Sequence, residues 1–107
     1  MYRSSRPPLG EKMMRSAQRA GFSLKDLSIW LDRPYRRVQA WFSRGHVPRS
    51  LDYEHVLVSL RLLNLAVRSG GLGAVRLTTR REERRLEIKR AYRAIRRADA
   101  PKRHSAR

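Results

Sequence analysis

Between Phe22 and Pro48 the chain reads FSLKDLSIWLDRPYRRVQAWFSRGHVP, and the break Asp32-Arg33-Pro34 in its middle constrains the fold more than any other feature. Leu24, Leu27 and Leu31 recur at spacings of three and four, so they share one face of a helix over about 24–31. Proline has no amide to continue that ladder, but its fixed backbone angle suits the first turn of a new helix. Pro34 therefore ends one helix and starts another, over 34–44. In this second helix Val38, Trp41 and Phe42 project to one side and must be buried against the helices before it. Arg36, Gln39, Ala40 and Ser43 project to the other side, which is left to solvent or a ligand.

The flanking segments are helical by the same test. Leu9, Met13, Ala17 and Ala20 mark one apolar face, and Gly21 suits the stop. Ser23 and Asp26 form a capping box, each side chain reaching the other's amide. Gly45 and Pro48 end the 34–44 helix, and Ser50 offers a cap to the next. On that fourth helix Tyr53, Val56, Leu57, Leu60, Leu63, Leu65 and Val67 lie nearly all round the circumference, which suits a central core helix or half of an interface. Gly70-Gly71 ends it.

Residues 70–78 read as a glycine-containing linker, and Thr79 with Glu82 as a second capping box opening an amphipathic helix over 79–98. Its apolar stripe, Ile88, Tyr92 and Ile95, is narrow, and Glu82, Glu83 and Glu87 can pair with arginines three or four places on. Pro101 closes that helix and 99–107 is a basic tail. Residues 1–8, with Arg3, Arg6 and Pro7-Pro8, read as an extended basic arm that could reach a minor groove. There is no internal repeat and no strand pattern. The expected fold is all-α: a four-helix bundle over 9–69 plus a basic C-terminal helix.

Charge narrows the function. The 107 residues carry a formal net charge of +17, and 22 of the 26 cations are arginine. Residues 1–50 hold 11 Lys/Arg against 3 Asp/Glu and residues 76–107 hold 13 against 4, while 51–75 are balanced. Such an excess costs self-repulsion unless a polyanion is present, and the planar arginine fork suits phosphate oxygens and guanine edges.

Other classes are disfavoured. Without cysteine there is no disulfide framework or thiolate metal site, and His46, His55 and His104 lack the spacing of zinc ligands. The nine acidic residues form no catalytic pair, and no phosphate-cradling glycine loop or nucleophile–base signature occurs. No enzyme activity, metal or cofactor is expected. No apolar run reaches membrane-span length and the start has no apolar signal region, so a cytoplasmic, nucleoid-associated protein is expected.

The stretch LGEKMMRSAQRAGFSLKDLSIWLDRPYRRVQAWFSRGHVPRSLD resembles the helix-turn-helix family of lambda-repressor-like and Cro-type regulators. The likeness rests on Gly21-Phe22-Ser23 after the first helix, Leu27 and Leu31 in the second, Val38 and Trp41 in the third, and Pro48 beyond it. It spans 9–66. Where turns of this family often carry glycine, this chain has Asp32. The resemblance implies that Arg36, with Tyr35 and Ala40 or Gln39, faces base edges, and that the amide end of the second helix, around Ser23 and Lys25, meets a phosphate. The run VQAWFSRG is also similar to the homeodomain third helix, but Arg44 stands where that family has the asparagine that grips adenine.

The expected function is thus a DNA-binding transcriptional regulator, a repressor of the short kind found in phage and bacteria, reading the major groove with the 34–44 helix. Tyr35, Arg36, Gln39, Ala40 and Ser43 are the candidate base contacts, and Ser23, Lys25, Arg33, Arg37 and Arg44 the candidate phosphate contacts. Arg84, Arg85, Arg93 and Arg97 are a candidate second basic surface. Double-stranded DNA is the expected partner. A homodimer would present two such helices to a two-fold site, and the stripe of the 79–98 helix could dock on the bundle, a second subunit or a protein partner. An accessory nucleoprotein, a phage packaging or recombination factor, and an RNA-binding protein are the alternative readings.

Overall fold

The computed structural model describes residues 9–44, 47 and 51–99. Six helices follow one another: α1 Leu9–Ala20, α2 Leu24–Leu31, α3 Tyr35–Arg44, α4 Leu51–Ser69, α5 Gly73–Leu77 and α6 Arg81–Asp99. No strand occurs among the described residues. The basic arm 1–8, Gly45, His46, Pro48, the Ser50 cap and the tail beyond Asp99 lie outside them.

The first three helices end as their sequences predict. On α1 the face Leu9, Met13, Ala17 and Ala20 is buried. Gly21 then takes a positive φ of 74°, which lets the Phe22 amide reach back to the Ala17 carbonyl at 2.8 Å. The α2 capping box forms in both directions: the Asp26 amide donates to Ser23 Oγ at 3.1 Å and the Ser23 amide to Asp26 Oδ2 at 3.0 Å. Asp32 closes α2 in the same left-handed conformation (φ 56°), with its amide on the Ile29 carbonyl and the Arg33 amide on the Ser28 carbonyl, both at 3.1 Å. Its side chain stands where glycine is usual, yet the turn is regular. Pro34 accepts the Arg37 and Val38 amides, so it caps α3, which begins at Tyr35 and not at the proline itself.

The core gathers around α2 and α4. Trp30 of α2 is almost wholly enclosed: its indole Nε1 donates to the Ser59 carbonyl at 2.8 Å, while the rings of Phe22 and Tyr92 meet it edge-on with centroids 6.0 and 5.1 Å away. The nearly all-round apolar α4 is central, packed against α1, α2 and α6.

The C-terminal third departs from expectation. The segment read as a linker contains α5, with Leu72 and Val75 buried in the main core. The Thr79–Glu82 capping box does not form, and α6 starts two residues late, its first turn closed by the Arg84 amide on the Arg80 carbonyl at 2.7 Å. Buried Ile88 and half-buried Tyr92 and Ile95 then seat α6 on α2 and α4 of the same chain. Arg61 of α4 pins the far end of α6 through Asp99 at 2.9 Å. The basic helix is thus a sixth member of the bundle.

Candidate nucleic-acid interface

On α3 the two sides separate cleanly. Val38 is 0 % exposed and Trp41 3 %, and Phe42 packs half-buried beside them. On the other side Arg36, Gln39, Ser43 and Tyr35 are exposed and Ala40 is half-buried. The Arg36 guanidinium has no hydrogen-bond or ion-pair partner among the described residues. Ser43 Oγ donates to the Gln39 carbonyl at 3.1 Å, which leaves its oxygen lone pairs outward.

The turn that aims α3 is held by the start of α4. His55 Nε2 donates to the Leu31 carbonyl at the end of α2. Arg33 Nε donates to Asp52 Oδ1 at 2.8 Å while Arg33 Nη1 reaches the Asp32 carbonyl at 2.9 Å, and Arg37 Nη1 lies 3.6 Å from Asp52 Oδ2. Of these two candidate phosphate contacts, Arg33 is half-buried and committed to fixing the turn, whereas Arg37 stays exposed. Arg44, Lys25 and Ser23 are exposed as well, the Ser23 hydroxyl being engaged in its cap.

Arg84 requires a correction, for it does not stand on the basic surface. Its Nε is 3.1 Å from both Asp26 oxygens and its Nη2 2.9 Å from Asp26 Oδ2. Its Nη1 donates to the carbonyls of Val75 at 2.8 Å and Thr78 at 2.9 Å. One guanidinium thus ties α2, α5 and α6 together. Burial would push the Asp26 carboxyl up, but the hydrogen bonds from Arg84 and the Ser23 amide, with the nearby arginine charge, outweigh it and hold the pKa below its ordinary value of 3.8. Arg85, Arg93 and Arg97 are exposed, as expected of them.

No family model, no curated protein and no solved structure matches the chain. Among the described residues, no helix is long and apolar enough to cross a membrane.

The structure also brings Lys25, a candidate phosphate contact, and Arg85, of the candidate second basic surface, together with Arg81 and Lys89, which the sequence did not single out. Arg81, Arg85 and Lys89 of α6 face Lys25 of α2 across a groove of about 1090 Å³, whose lining also includes Arg33 and Tyr35. The spacing 81, 85, 89 was visible in the sequence. What faces it could not be read, because that depends on α6 docking beside α2.

Proposed function

We propose that the chain binds duplex DNA and reads base sequence in the major groove with the exposed side of α3, regulating transcription by occupying its site. One observation carries this reading: burial of Val38 and Trp41 turns Arg36 and Gln39 outward on a short, capped helix, and Arg36 has no partner among the described residues. An unpaired guanidinium on such a helix matches the two acceptors of a guanine edge, and the exposed amide of Gln39 suits adenine. Arg37 and Arg44 flank these residues and supply phosphate contacts, as does Lys25 at the start of α2. The net charge of +17 is the matching long-range term.

Selection from random duplexes tests the reading directly. The full chain should enrich a defined site, and Arg36→Ala should relax preference at one base position, at a cost of about 1–3 kcal/mol on the preferred site. Equal loss on every sequence, or no enrichment by the unaltered chain, would remove base reading and leave non-specific polyanion binding.

A further inference from the structure

The groove between α2 and α6 is cationic beyond what the fold requires. Six basic residues line it, but Arg84 is spent on Asp26 and Arg33 on Asp52. The side chains of Lys25, Arg81, Arg85 and Lys89 have no ion-pair or hydrogen-bond partner among the described residues. With Asp26 engaged, Asp32 and Glu82 are the carboxylates left on the walls to oppose these four. Like charges sharing a recess repel one another, and a bound polyanion relieves that cost.

The arrangement points to the form of the anion. Arg81, Arg85 and Lys89 follow one another at every fourth position, so their Cα atoms lie about 6 Å apart along the axis of α6. A single free phosphate is best held by donors converging on one point. A row of cations suits a ligand whose charges are themselves strung out in line, as in a sugar-phosphate chain. Tyr35, the first residue of α3, lines the same groove, which therefore reaches the end of α3 next to Arg36.

Resting on the duplex reading above, we propose that the groove between α2 and α6 holds the backbone of the strand flanking the bases that α3 reads, with Lys25, Arg81, Arg85 and Lys89 as its phosphate contacts. Arg84 is a positioning residue here: it fixes the start of α6 against α2 and so sets the separation of the two walls.

The test compares two triple variants of the full chain, binding the selected duplex over a range of salt concentrations. One is Arg81→Ala/Arg85→Ala/Lys89→Ala, in the groove. The other is Arg68→Ala/Arg90→Ala/Arg96→Ala, three exposed arginines outside the groove lining and outside the candidate contacts, with the same change in charge. Each phosphate contact on B-form DNA contributes about 0.9 to the slope of log affinity against log salt, so the groove triple should lower that slope by about 2–3 and the control by less than 1. Equal drops would reduce the effect to general charge and overturn the proposal, as would no drop in the groove triple. A larger loss on single-stranded RNA than on the duplex would also overturn it.

Phosphate-ethylation interference on the unaltered protein gives a second readout that needs no variant to fold. A run of sensitive phosphates on one strand beside the selected bases is expected, and sensitivity confined to the bases' own phosphates would overturn the groove assignment. If a site is selected and Arg36→Ala relaxes it while these tests fail, the groove alone falls. If the unaltered chain binds no duplex, both readings fall together.

Discussion

Arg84 and Asp26 form the pair on which the C-terminal third turns. Both are largely shielded from solvent, so removing one partner strands the other with its desolvation uncompensated. Arg84→Ala should destabilise the fold by about 3 kcal/mol, measured by urea unfolding at neutral pH. The pair also carries a pH signature. Because the folded-state pKa of Asp26 is depressed, its contribution is fully present above the ordinary value of 3.8 and is lost as pH falls through the lower folded value. The stability gap between the unaltered chain and Asp26→Asn should therefore be wide at pH 7 and narrow progressively below pH 4; a gap independent of pH would contradict this account. None of it was legible in the chain, since Arg84 finds its carboxylate 58 residues away and Arg33 finds Asp52 19 residues away. A lone arginine on a basic helix carries no mark of an inward partner. Val38 and Trp41, by contrast, were readable as buried from helical spacing alone.

At the scale of elements, caps and periodicity determined α1, α2 and α3 to within a residue, because each boundary is made by neighbours in sequence. The turn at Asp32 is the instructive case. A left-handed backbone costs an L-residue energy that glycine escapes, although glycine loses more chain entropy on folding. Asp32→Gly should thus raise stability by about 0.5–1 kcal/mol, seen as a higher melting temperature, with duplex preference unchanged because the Arg33 and Asp32 amides keep their bonds. The short helix α5 escaped sequence reading for the converse reason. Gly70-Gly71 and Gly73 look like punctuation, and five residues are too few to show a period; Leu72 and Val75 are buried in a core that α6, from further along the chain, helps to close by packing against α5.

For the whole molecule, the consequence is that the basic helix belongs to the core. Trp30 is covered on one side by Phe22 and on another by Tyr92 of α6, so a chain ending at Ser69 would leave that indole and the neighbouring apolar surface open to water. Losing a large buried aromatic contact typically costs about 3–5 kcal/mol, a large share of what a domain of this size has to spare. A 9–69 fragment should show no cooperative thermal transition by circular dichroism, whereas the full chain should melt in one step. A fragment that melts sharply would make α6 an accessory after all. The all-helical class was plain in the sequence, but the unity of the two basic ends was not, since it depends on which side of α2 a distant helix covers.

The enclosure of Trp30 also gives the protein an internal optical reporter. With Trp41 replaced by phenylalanine, the remaining indole emission would come from a ring held dry between two aromatic neighbours and bonded to the Ser59 carbonyl. A red shift of that emission would then register the lifting of α6 from the bundle, whether by heat, acid or a bound strand prising the helices apart.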